Sequence, residues 1–222
     1  MDELTYAYYP VFRGTPDLRE RPSGELDQMA HEAEILLKES DRVSVRGTYS
    51  TVGFRPDAEL MMWWIGHAPE DLQDHLVSFR RTALGRRLEL TWSFMGVVRT
   101  AEFSKEHLPA FLRGEPPRRY LCVYPYVRTT EWYLLPPEQR AELLREHGEM
   151  GREFPDVLAN TTSAFGINNW EWILAFEADD LARILDCLRR LREARARAYT
   201  KEEVPFVTGI RKPFAEAVHD LA

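Results

Sequence analysis

The sequence predicts an α+β fold made of two tandem β-α-β-β-α-β units, and three observations predict it. Strand and helix patterns run through the same order twice. The two halves open alike, YYPVFRG at 8–14 against VYPYVRT at 123–129. A charged stretch containing Pro and Gly, EFSKEHLPAFLRGEPPRR, divides them.

The first half begins with TYAYYPVFRG (5–14), whose aromatic and β-branched residues suit a strand. PSGELDQMAHEAEILLKES follows, with apolar residues at helical spacing and Ser23 as the expected cap. RVSVRGTYSTVG alternates with period two, and AELMMWWIG is a short apolar run fit for a buried strand. PEDLQDHLVSFRRTAL opens on Pro69 with acids in its first turn, where the helix dipole favours them. LELTWSFMGVVRT completes the unit as a strand. After the connector come the strand RYLCVYPYV, the helix PPEQRAELLREHGEMGREF and the strands VLANTTSAFGI and WEWILAFEA. A long amphipathic helix, DDLARILDCLRRLREARARAY, and a last strand, EVPFVTGI, end the chain. Each half is thus a ferredoxin-like unit, with antiparallel sheets packed together as in a dimeric α+β barrel. The expected divisions are 1–101, a connector at 102–118, and 119–222.

The 222 residues include 44% hydrophobic and 29% charged, a globular balance, and the net charge is −7. That charge argues against sequence-independent nucleic-acid binding, which needs basic surface to displace counterions. It leaves room for a buried anionic ligand, because a local arginine cluster can dominate an acidic protein. Cys122 and Cys187 each sit in an apolar run and read as buried free thiols. MDELTYAYY lacks the basic and apolar regions of a signal peptide, and no segment reaches the roughly 20 apolar residues of a membrane span, so a cytoplasmic protein is expected.

Neither a glycine-rich phosphate loop nor a nucleophile elbow occurs, and no Cys/His spacing fits structural zinc. Of the six histidines, His31, His67, His75 and His219 read as surface or capping residues. His147, in LLREHGEMGRE, falls where Gly148 offers a helix stop. It could serve the helix dipole, or hold iron through a neutral imidazole whose other nitrogen meets an acceptor. Alternation along YPYVR puts Tyr124, Tyr126 and Arg128 on one strand face, and a phenol beside a guanidinium suits a carboxylate-bearing substrate.

Three segments in order, YPYVRTTEWYLLP, LLREHGEMGREF and INNWEWILAFE, resemble the coproheme decarboxylases of the chlorite dismutase-like superfamily, in their actinobacterial form. The resemblance covers nearly the whole chain. It implies two ferredoxin-like units with the porphyrin in the C-terminal one, and a homopentamer. It implies peroxide-dependent oxidative decarboxylation of two propionates of Fe-coproporphyrin III (coproheme) to vinyls, giving heme b through a three-propionate intermediate. By the same resemblance His147 is the proximal iron ligand, Tyr124 the radical-forming tyrosine and His107, in SKEHLPAF, the distal base. Trp132 lines the porphyrin pocket, Arg128 lies near the reactive propionates, and an arginine among Arg195, Arg197 and their neighbours holds others. A ferrochelatase that supplies coproheme is an implied partner.

Two alternatives share the fold. A chlorite dismutase would carry an arginine before the Thr-rich strand, where VLANTTSAF has Asn160. A noncatalytic heme carrier or regulator would need His147 but neither Tyr124 nor His107.

Overall fold

The computed structural model describes residues 4–99 and 108–222. His107 and the first part of the expected connector, residues 102–107, lie outside the described residues. By contacts, the chain divides into one unit of residues 1–108 with 207–222 and a second of residues 109–206.

In the first unit the order is β1 (Leu4–Gly14), a short α1 (Pro16–Arg19), α2 (Ser23–Glu39), β2 (Val43–Arg55), β3 (Ala58–Gly66), α3 (Pro69–Arg81) and β4 (Leu88–Arg99). The strands pair antiparallel in the spatial order β4-β1-β3-β2, the arrangement of a ferredoxin-like unit. Pro22, rather than Ser23, is the N-cap of α2, and Ser23 is its first helical residue. The apolar stripe of α2 buries Leu26, Met29, Ala30, Ala33 and Leu37 against Tyr8, Phe12, Leu60, Met62 and Trp64 of the sheet. Three of the four histidines expected at the surface keep to it, but His75 is buried. It sits on the inner face of α3, with its ring edge-on to Trp64 at 4.7 Å between centroids.

The second unit runs β5 (Tyr120–Arg128), α4 (Thr130–Leu134), α5 (Pro137–Gly151), β6 (Leu158–Ser163), β7 (Trp172–Ala178), α6 (Leu181–Leu191) and β8 (Thr200–Glu202). Its strands stand in the equivalent order, β6-β7-β5-β8. Two boundaries differ from the pattern in the sequence. The helix expected to continue to Tyr199 stops at Leu191, although LREARARAY is rich in helix formers. Arg195 explains the break. Its backbone N–H donates to Glu146 of α5 at 3.0 Å, and its guanidinium pairs with Glu142 and Glu146. Those contacts hold the chain in a 3₁₀ turn (Arg195–Tyr199) instead of a fourth helical turn. In α5, Gly148 does not end the helix, which runs on to Gly151.

The last strand, expected within 119–222 as part of the C-terminal unit, is β9 (Val207–Arg211), and it pairs with β2 through Tyr49 and Ser50. α7 (Phe214–His219) follows, burying Phe214, Ala217 and Val218 in the core of the first unit. Alternation marks a strand but does not name its neighbour, so the sequence alone leaves that pairing open.

Candidate active site

The second unit holds a cleft of about 340 Å³, within the usual range of small-molecule sites. Clefts of about 370 and 390 Å³ in the first unit are similar in size, but charged side chains such as Arg46, Arg211, Asp71 and Asp74 are spread through their walls. Lining, not volume, separates them. The cleft of the second unit has an apolar wall of Trp172, Leu174, Phe176, Leu188 and Leu191, with a few polar groups converging on it.

β5 supplies one side. Tyr124, Tyr126 and Arg128 all face the cleft, as alternation requires. The neighbouring β7 presents Leu174 opposite Tyr124 and Trp172 opposite Tyr126. α6 covers this surface because Ile184, Cys187, Leu188 and Leu191 recur at helical spacing. Asp180 caps its start, accepting the Ala182 N–H at 2.9 Å. Cys122 and Cys187 are buried free thiols, as expected.

Tyr124 is 5% exposed. Its ring stacks on Phe206, 4.3 Å between centroids, and lies parallel to Phe176 at 6.1 Å. Burial pushes its phenol well above the ordinary range, so the neutral O–H persists at all physiological pH values. Two phenyl rings thus fix the side chain.

Arg128 enters the same cleft under close restraint. Its backbone N–H donates to Glu171 at 2.8 Å, and its Nη1 donates to the Ala196 carbonyl at 3.0 Å. The guanidinium lies 4.8 Å from the Tyr126 ring centroid and 4.1 Å from that of Trp132. Trp132 itself packs with Leu143 and Ala196. Tyr126 shares a hydrogen bond of 2.7 Å with Thr200.

His147 reaches the cleft from α5, one turn beyond the buried Leu143. Burial and the nearby Arg128 charge both hold its pKa below the ordinary value of 6.5. The imidazole is therefore neutral, with a lone pair to offer. No hydrogen-bond partner for either ring nitrogen occurs among the described residues, so the acceptor expected behind it is not among them. The described residues also contain no cluster of three His, Cys, Asp or Glu side chains able to hold a metal alone. A single neutral imidazole suits a metal that brings its remaining donors with it, as a porphyrin iron does. The residues present fit that group.

The sequence offered Arg195, Arg197 and their neighbours for the rim without choosing among them, and it did not single out Glu203. Arg192 and Arg197 face the cleft, and both pair with Glu203. Arg195, considered beside Arg197 as a propionate ligand, is instead committed to α5. β6 contributes Thr161 to the cleft, whereas Asn160 points to the opposite face. There Asn160 is 1% exposed, accepts the Phe111 N–H at 2.9 Å and donates to the Ala175 carbonyl and Glu177. On β6 it is Thr161, not Asn160, that lines the cleft, and it carries no charge.

Fold and cleft together describe a protein of the chlorite dismutase type, and the sequence profile of the family described as Chlorite dismutase matches residues 26–212. The chain belongs to this family. Within it, a coproheme decarboxylase from Mycolicibacterium smegmatis is 47% identical over 211 residues, covering 94% of this chain and 90% of that protein. A coproheme decarboxylase from Thermus thermophilus is 27% identical over 175 residues, 73% of this chain and 70% of the relative. The crystal structure of a mutant chlorite dismutase from Candidatus Nitrospira defluvii, in complex with cyanide, superposes with a TM-score of 0.87. It covers 98% of this chain and 94% of its own at 22% identity, a likeness that establishes the fold.

Proposed function

We propose that the protein is a coproheme decarboxylase, a peroxide-dependent oxidoreductase that converts coproheme to heme b. The observation carrying this reading is the convergence of His147, Tyr124 and Arg128 on one cleft with an apolar wall. The 47% identity to a protein of that name supports it. Each propionate consumes one hydrogen peroxide and leaves a vinyl group, carbon dioxide and two waters, so the reaction passes through a three-propionate intermediate.

Bound iron porphyrin supplies the oxidising power drawn from peroxide, and the protein supplies geometry and electrostatics. His147 holds the iron through its neutral imidazole. Tyr124, fixed between Phe176 and Phe206, gives up its phenolic hydrogen and takes one from the propionate β-carbon. Its raised pKa keeps that hydrogen in place until oxidation removes it. Arg128 orients a propionate as a charged, planar donor. Trp132 backs the guanidinium and limits its rotation. His107 belongs to this proposal as the distal base, on the strength of the family resemblance. So do the homopentamer, the contact with a coproheme-supplying ferrochelatase and a cytoplasmic location. Among the described residues no helix is long and apolar enough to cross a membrane.

The carrier reading leaves Tyr124 without a task and gains no support from its position in the cleft. The chlorite reading expects an arginine where Asn160 stands, and β6, LANTTS, carries no charged residue. Titration of ferric coproheme into the wild type and His147→Ala tests the site. The wild type gives the absorption spectrum of an imidazole-ligated iron and His147→Ala does not. An unchanged spectrum in the variant removes His147 as the ligand.

A further inference from the structure

One carboxylate stands in a cleft otherwise suited to receiving carboxylates. Glu203, with its side chain 14% exposed, lines the same cleft as Tyr124 and divides its two oxygens between two arginines. Arg192 takes Oε1 and Arg197 takes Oε2. The charged side chains of the lining are Arg128, Arg192, Arg197 and Glu203, so the lining is positive and yet holds one internal anion.

Arg192 and Arg197 are partly exposed, with side chains 44% and 33% accessible, and two guanidiniums side by side favour a shared carboxylate through charge-assisted hydrogen bonds. Arg192, Arg197 and Glu203 line the same cleft as Tyr124, so the propionate that meets the pair is assigned to the two that react rather than to the others expected for a late arginine. It supplies a counter-charge while substrate is bound. That charge ceases to exist once the propionate has become a vinyl group. Glu203 is already on both arginines and competes with water for them once the propionate is gone.

Resting on the reading of this cleft as the coproheme site, we propose that Glu203 is a resident stand-in for a substrate propionate. It occupies the Arg192–Arg197 pair when no propionate does, and it yields the pair to coproheme. Coproheme, with four carboxylates, must displace Glu203 to reach the pair. Heme b, with two, leaves the pair to Glu203. The residue therefore narrows the affinity gap between substrate and product and eases exchange of one for the other, because selectivity is a difference between two binding energies.

The test is binding without peroxide, so turnover plays no part. Ferric coproheme and ferric heme b are titrated into the wild type, Glu203→Gln and Glu203→Asp, with Glu203→Ser as a second neutral replacement should the glutamine variant not fold. The neutral variant binds coproheme about tenfold more tightly and heme b less than about threefold more tightly, one decade being the scale of a single good charged contact. Glu203→Asp keeps the charge and stays near the wild type for both. Unchanged or weaker coproheme binding in the neutral variant overturns the proposal, as does an equal gain for both porphyrins. A wild type that binds neither porphyrin contradicts the reading of the cleft itself, which separates the two failures.

Discussion

The Arg128 guanidinium lies 4.1 Å from the centroid of the Trp132 ring, four residues along the chain. The contact joins the end of β5 to the short helix after it, and the same guanidinium holds the Ala196 carbonyl at 3.0 Å. One side chain thus fixes two walls of the cleft and brings a positive charge near His147. Lysine cannot reproduce a planar group that stacks and donates along a fixed direction.

Arg128→Lys is expected to weaken coproheme binding by about tenfold while the fold survives, since a charged hydrogen bond contributes roughly 1.5–3 kcal/mol and the charge is kept. A spectroscopic titration checks this. Wild-type affinity in the variant would show that the stacked geometry is irrelevant to the ligand.

The two neighbouring arginines of the 3₁₀ turn separate by location. Arg197→Ala removes a charge that faces the cleft and weakens coproheme binding about tenfold, as the loss of a close ion pair does. Arg195→Ala breaks only the exposed pairing with Glu142 and Glu146 and leaves affinity within about twofold, the small effect typical of surface pairs. Equal effects from the two variants would contradict their assignment to different surfaces.

Asn160 makes a purely structural prediction. Its amide satisfies the Phe111 N–H, the Ala175 carbonyl and Glu177 inside the second unit. Asn160→Ala strands these groups and is expected to destabilise the fold by about 2 kcal/mol. Coproheme affinity at a temperature where the variant is folded stays unchanged. Chemical denaturation measures the first quantity and titration the second.

His75 gives a pH dependence. Burial holds its pKa below the ordinary 6.5, and its Nε2 is buried without a hydrogen-bond partner among the described residues. The unfolded chain therefore takes up a proton at His75 before the folded chain does. Stability from this site is fully present above pH 6.5 and declines as the pH falls through that value toward the lower folded pKa. Denaturation midpoints at pH 7.5 and 5.5 should show a smaller difference in His75→Phe than in the wild type. An identical difference would show that His75 is accessible to protons in the folded state.

Much of this molecule is legible in its residues, and the limits have physical causes. Period-two alternation put Tyr124, Tyr126 and Arg128 on one face, and the structure places all three in the cleft. The repeated strand and helix patterns marked both units. Two features resisted reading. Segment 192–199 has strong helical propensity, and its tertiary contacts, the Arg195 backbone N–H on Glu146 among them, go with a 3₁₀ turn that the sequence pattern does not announce. Glu203 looks like an ordinary charge on a strand edge until the fold brings both arginines to it. Asn160 illustrates a third limit, because a one-residue shift along a strand exchanges cleft for core.

The most direct measurement adds hydrogen peroxide stepwise to the coproheme complex of the wild type and of Tyr124→Phe, identifying the porphyrins by mass spectrometry. Phenylalanine keeps the packing against Phe176 and Phe206 and removes only the O–H. The wild type should pass through a three-propionate species to heme b, while the variant binds coproheme and leaves all four propionates intact. Heme b formed by Tyr124→Phe at the wild-type rate would contradict the role given to Tyr124, and a wild type that binds coproheme without releasing carbon dioxide would contradict the decarboxylase itself.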